Sequence, residues 1–218
     1  MRGPGPPPSR MRRSPWRDAA YAALDFETTG LDLRTDAVVS FGVAPVIGGR
    51  IRMSESIHQL IEPDVPPSPR SQTIHELRPQ DLAGSPTLEE ARPVLAAALE
   101  SRYLLVWFAD VEVSFLRAIF GGRLRSWRRR TIDVRNLAIA IDGAPPSARN
   151  EMGYPLTATA RRFGVPVASP HEAFDDALVT AQLFLVFADR LGAPAGPTVR
   201  DLLRAARPHG RRPIRRRT

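Results

Sequence analysis

The 218-residue chain has no cysteine and no lysine. The first absence excludes disulfides, thiolate zinc sites and cysteine nucleophiles, and it fits a cytoplasmic protein. The second means that all 31 cationic side chains are arginines. They come with 22 prolines and abundant alanine, a pattern of composition bias, so arginine number alone is no sign of a polyanionic partner. Long apolar runs are also missing. None approaches the roughly 18 residues that a bilayer span needs, and the basic N-terminus is not followed by the apolar core of a secretory signal. A membrane is therefore not an expected partner. What remains is a 43% apolar chain of a length that suits one domain with a full core.

The formal charge of +8 is unevenly spread. Residues 1–20 carry +4 and residues 196–218 carry +7, which leaves −3 of the total for the body. The Pro- and Arg-rich stretch 1–18 reads as a disordered tail, 19–195 as the folded domain and 196–218 as a basic tail. Both tails can be read as solubilising segments or as sites of non-specific phosphate contact.

Within the body, Ala19–Leu24, Ala37–Val46 and Arg50–Ile61 read as strands, the last two joined at Gly48-Gly49 as a hairpin. Glu62–Pro86 reads as a Pro-rich connection. Thr87 with Glu90 forms a capping box that opens a helix to Glu100. Tyr103–Trp107 is a continuous apolar run, as in a buried central strand. Val111–Phe120 reads as a helix, Thr131–Val134 as a strand and Asn136–Ile141 as a helix. A loop follows over 142–154, then a helix Leu156–Phe163 and a long amphipathic helix over His171–Leu191. No internal repeat is visible. Three meander strands followed by strands that alternate with helices predict an α/β fold, with a mixed five-stranded sheet and helices on both faces.

Residues 25–30 read Asp-Phe-Glu-Thr-Thr-Gly at the end of the first apolar strand. Residues i and i+2 of a strand share a face, so Asp25 and Glu27 project together. Such a pair is usually a solvated edge. Here the strand is apolar before the pair and the chain turns directly after it, which puts the pair where open α/β sheets bind ligands. Paired carboxylates without cysteine favour a hard cation such as Mg²⁺ or Mn²⁺. Further acids appear at the start of the last long helix, where residues 171–177 read His-Glu-Ala-Phe-Asp-Asp-Ala. Alone, His171 could be a surface residue, and Asp175 and Asp176 could serve the helix dipole.

In this order the pieces resemble the DEDD-type 3′→5′ exonucleases, histidine subclass, over roughly residues 20–192. IHELRPQDLAGSP and TIDVRNLA resemble two supporting segments of that family. The middle motif departs from it. Residues 107–116 read Trp-Phe-Ala-Asp-Val-Glu-Val-Ser-Phe-Leu where the family has His-Asn-Ala-x-Phe-Asp-x-x-Phe-Leu. Anchoring on Ala109 and on Phe115-Leu116 puts Glu112 at the metal-binding position, with Asp110 as the competing candidate.

The resemblance implies a ribonuclease H-like fold, two divalent ions (Mg²⁺ or Mn²⁺) held by Asp25, Glu27, Glu112 and Asp176, and His171 as general base. Histidine suits that role because it changes charge near neutral pH. It also implies substrate contacts around Thr28, Thr29 and Phe108, and a single-stranded 3′ end as substrate, DNA ahead of RNA. Proofreading would need association with a polymerase, for which no interaction motif is visible. Two alternatives stand beside it: an RNA-trimming enzyme, and a nucleic-acid-binding module that has kept the fold with weak catalysis. The run Arg123–Arg130 around Trp127 could track a single strand, or could be a solvated loop.

Overall fold

The computed structural model describes residues 3–143, 153–191 and 196–207. Side-chain alternation in β1 (Ala20–Thr28) organises the rest. Ala22, Leu24 and Phe26 enter one apolar cluster, whereas Tyr21 and Ala23 enter another. The two clusters cover opposite faces of the sheet, as expected when a strand is buried on both sides. Asp25 and Glu27 continue the Tyr21–Ala23 face by the same alternation.

β2 (Val38–Ile47) pairs antiparallel with β1. β3 (Arg50–Ile51) and β4 (Ile57–Leu60) both pair with β2, separated by a 3-10 turn at Met53–Glu55. The expected third strand over Arg50–Ile61 is thus broken in two. The sheet has six strands rather than five. The connection after β4 also differs from expectation, because it forms two short helices, α1 (Pro69–His75) and α2 (Pro79–Leu82). Each has proline in its first turn, where the missing N–H costs nothing. α3 (Leu88–Leu99) opens on the expected capping box: Thr87 Oγ1 accepts the Glu90 N–H at 3.3 Å and Glu90 returns the bond.

β5 (Tyr103–Val106) lies parallel to β1, and β6 (Thr131–Asp133) parallel to β5. Between them run α4 (Ala109–Phe120) and α5 (Leu124–Arg128). α6 (Val134–Asp142), α7 (Leu156–Arg162), α8 (Ala173–Arg190) and α9 (Val199–Ala205) complete the fold. α3, α4 and α5 cover the Leu24 face, and α6 to α9 the Tyr21 face. Each fully buried Leu or Phe on these faces contributes about 1.5–3 kcal/mol, so the sheet is held from both sides.

Residues 1–18 read as a free tail, but Trp16 is 2% exposed and meets Phe184 edge-on at 5.6 Å. Tyr21 donates its hydroxyl proton to the Trp16 carbonyl at 2.8 Å. A large aromatic with a place in the core outweighs the disorder signal of its Pro/Arg-rich surroundings. The basic C-terminal stretch is likewise ordered in its first half, because Val199, Leu202 and Leu203 of α9 are buried. The Arg-rich run beyond residue 207 and most of the expected 142–154 loop lie outside the described residues.

Candidate active site

The site forms where β1 outruns its parallel neighbour. β1 pairs with β5 only over Tyr21–Ala23, whereas its pairing with β2 continues to Thr28. Asp25 and Glu27 therefore sit on a strand end that is open on the β5 side, with the ladder register shifting between Glu27 and Thr28. Phe26 points the opposite way and packs on Phe115 at 6.2 Å, as a core residue.

α4 and α8 bring the other acids. Glu112, in the first turn of α4, is 5% exposed. Asp176, in the first turn of α8, is also buried. α8 reaches the sheet because the β2 face below it is built of Ser40, Gly42 and Ala44. A Cβ on Gly42 would fall inside the Ala173 carbonyl group, so only glycine lets the helix start lie this close. Gly42 is also the ladder partner of Asp25. Its close-approach role went unread in the sequence, although a lone glycine inside an apolar strand is the signal for one. Glu172 adds a second tie, with its carboxylate 3.2 Å from Nδ1 of His58 in β4.

The electrostatics show what these carboxylates do to one another. Asp25 is held well above the ordinary carboxylate range, first by burial and then by the charges of Glu27, Glu112 and Asp176. Glu27 is pushed up to about 8 by burial and by Asp176. Glu112 is pushed up to about 8 by burial, then by Asp133, Asp110 and Glu27. Asp176 rises to about 6 by burial, with His171 pulling in the other direction. Four acids that repel across one small volume define a place where positive charge is missing.

A cation fits that place. Ligand atoms of Glu27, His171 and Asp176 all lie within 4.8 Å of one another. Glu112 Oε2 is buried without a hydrogen-bond partner among the described residues, a costly condition unless something else meets it. Oxygen and imidazole donors without sulfur suit a hard divalent ion. His171 stands at the exposed rim with a left-handed backbone (φ 65°). Its backbone N–H donates to Asp176 Oδ2 at 3.3 Å, which orients the acid. Asp175 turns away and accepts the Ser169 N–H at 2.8 Å.

The two middle-motif candidates part company. Asp110 is exposed and ion-paired with Arg128, whereas Glu112 is the buried one beside Asp25 and Glu27. Asp133 supports α4 from below by accepting the Ala109 N–H at 3.2 Å, and it caps α6 through the Asn136 N–H at 2.8 Å. Burial raises it to about 6.

Of the expected substrate contacts, Thr28 donates its hydroxyl proton to the Gly30 carbonyl at 2.7 Å. Thr29 is 2% exposed, and its hydroxyl bonds Asp36 and the Ala37 N–H. It braces the turn and has no hydroxyl to spare for a ligand. Phe108 precedes α4 with Arg135 stacked over its ring at 4.4 Å. Trp127 is no stacking platform either: it is 7% exposed, donates Nε1–H to the Gly121 carbonyl at 2.9 Å and carries Arg130 over its ring. His75 is a neighbour that sequence reading assigned no role. It is buried, with Nδ1 accepting the Leu77 N–H at 3.1 Å and the ring against the Thr28 backbone.

A mixed sheet with helices on both faces and acids clustered at the end of its first strand defines a ribonuclease H-like nuclease domain. The profile of the exonuclease family (RNase_T) matches residues 22–184, and the chain belongs to that family. It is 31% identical over 179 residues to the PolC-type DNA polymerase III of Thermotoga maritima, which covers 82% of this chain but only 12% of that protein. To the DNA polymerase III subunit epsilon of Aquifex aeolicus it is 24% identical, covering 85% of this chain and 88% of that one. In fold it is similar to exonuclease X in complex with 5′ overhanging duplex DNA, with TM-score 0.60 and 22% identity over 84% of this chain and 99% of that one.

Proposed function

We propose that the chain is a metal-dependent 3′→5′ exonuclease that removes nucleotides from single-stranded ends, DNA ahead of RNA. The observation that carries this reading is the convergence of Asp25, Glu27, Glu112 and Asp176, buried or partly so, with His171 at the rim. A protein that only bound nucleic acid would have no use for mutually repelling carboxylates, which weaken contact with a polyanion. The relatives that bear polymerase and exonuclease names support the reaction class, and an association with a replicative polymerase is part of the proposal.

Two divalent ions, Mg²⁺ or Mn²⁺, would supply activation of the attacking water and charge stabilisation at the leaving oxygen. The residues of the chain do the rest. Asp25, raised by the charges of all three other acids, would hold the ions together with Glu27, Glu112 and Asp176. His171 is solvent-accessible beside Asp176, where its imidazole can take a proton from the attacking water and release it to solvent. The backbone of Glu27-Thr28, which has no ladder partner on the β5 side, is the proposed rest for the terminal nucleotide, and Phe108 is a further proposed contact.

The test is cleavage of labelled single-stranded DNA and RNA in Mg²⁺ or Mn²⁺, beside Asp25→Ala and His171→Ala. Nucleotide release that needs the metal and is lost in Asp25→Ala supports the proposal. Preference for RNA would make the enzyme an RNA-trimming one, and no metal-dependent release from either polymer overturns it.

A further inference from the structure

The two basic segments at opposite ends of the sequence meet in the fold. The 3-10 turn Ser9–Arg13 lies against α9. The contact is fixed by the Trp16 N–H to the Pro197 carbonyl (3.1 Å) and the Val199 N–H to the Ser14 carbonyl (3.2 Å). Between them is a cleft of about 450 Å³ lined by Ser9, Arg12, Arg13, Arg200, Arg204 and Arg207. Arg200, Arg204 and Arg207 recur at helical spacing, so they share one face of α9 and its end.

Composition bias alone would scatter arginines and leave them paired where acids are near. Six arginines elsewhere, Arg17, Arg34, Arg78, Arg102, Arg128 and Arg162, each have a carboxylate partner, and the remaining ones outside the cleft do not converge on one opening with those of the cleft. In the cleft, the only carboxylate within ion-pair range of any of the five, among the described residues, is Asp201. It stands 4.0 Å from Arg204 and already accepts both the N–H and the hydroxyl of Thr198. Five guanidinium groups around one opening repel each other unless an anion joins them, and their planar forks match phosphate oxygens.

The position points to which anion. The last turn of α9 is tied to the acid site, because the Ala206 carbonyl accepts from Asn136 Nδ2 at 3.1 Å and Asp133 holds both Asn136 and the start of α4. We propose that this cleft binds the phosphodiester backbone of a single strand upstream of its 3′ end. The proposal rests on the exonuclease reading of the acid site and adds to it a track that steers the strand.

The test uses the full chain carrying Asp25→Ala, with and without Arg200→Gln, Arg204→Gln and Arg207→Gln. All three arginines are exposed, so the fold should tolerate the changes. Binding of labelled strands of about 20 and about 3 nucleotides is followed from ~50 to ~200 mM salt. The long strand should lose about tenfold or more in affinity at low salt, and its slope of log K on log salt should fall by about 2, from ~0.7 for each of three lost phosphate contacts. The short strand should bind as before. Arg12→Gln with Arg13→Gln, on the opposite wall, should act in the same direction. Unchanged long-strand binding, an equal loss for both lengths, or equal displacement by inorganic phosphate overturns the proposal. Cleavage by the chain with Asp25 intact is scored separately. If it shortens no strand while the arginine variants still weaken long-strand binding, the nuclease reading fails and the cleft stands. If it shortens strands while those variants bind normally, the cleft fails and the nuclease stands.

Discussion

Gly42 and Ala173 touch backbone to backbone: the middle of β2 lies directly beneath the first residue of α8. Asp25 stands opposite Gly42 in the ladder, and Asp176 is one turn into the helix. The contact between a strand and a helix start far apart in sequence thus sets the separation between two acids of the site.

Replacing Gly42 by alanine should push α8 off the sheet. Overpacking of this kind costs about 1–3 kcal/mol, measurable as a lower urea midpoint. Nuclease activity should fall further than stability explains, with Asp176 displaced. Full activity in a folded Gly42→Ala protein would mean that the close approach is not needed.

Glu112 and Asp110 can be separated by function. Glu112→Gln keeps the shape but removes the charge. Supporting residues of metal sites typically cost 10–100-fold in activity or affinity, and a ligand should cost at least about that much. Asp110→Ala removes an exposed pair with Arg128, an interaction worth about 0–1 kcal/mol, and should leave cleavage near normal. The reverse ranking would place the middle ligand at Asp110.

The acid cluster predicts a pH dependence of stability when no metal is added. Folded Glu27 and Glu112 keep their protons up to about 8 against 4.5 in the unfolded chain, and Asp176 up to about 6 against 3.8. Between these limits the native state binds more protons than the unfolded one, so stability falls as pH rises through the window. In chelator, Tm should therefore drop between pH ~5 and ~8, and less steeply in Glu112→Gln. Added Mn²⁺ should raise Tm more at the upper end than at the lower. A metal effect independent of pH would contradict the shared site.

Trp16→Ala should cost about 3–5 kcal/mol, as core tryptophan truncations do. The same loss should follow removal of residues 1–18. A midpoint unchanged by either would show the N-terminal segment to be dispensable.

Part of the site was legible in the sequence, because period-2 alternation fixes Asp25 and Glu27 on one face and the resemblance to the exonuclease motif singles out Asp176 over Asp175. The order of elements, meander strands and then strands alternating with helices, also pointed to the sheet covered on both faces. What was not legible depends on contacts distant in sequence. Trp16 finds its place only against Phe184, in a segment without apolar periodicity, whereas α9 does repeat Val199, Leu202, Leu203 and Ala206 at helical spacing, a signal hidden among its arginines. The break in the third strand follows from a local 3-10 turn at Met53–Glu55 that residue type does not signal. Trp127, amid arginines, looks like a nucleic-acid platform until its indole N–H is seen bonded to Gly121.

The proposed activity is cleavage at a 3′ end by the acid cluster. The most direct measurement is the product ladder from a single strand labelled at its 5′ end, incubated with the protein and Mg²⁺ or Mn²⁺. The ladder should shorten one nucleotide at a time from the 3′ end, be abolished by chelator and be absent with Asp25→Ala. A ladder that persists in Asp25→Ala, or loss of the label from the 5′ end, would contradict it.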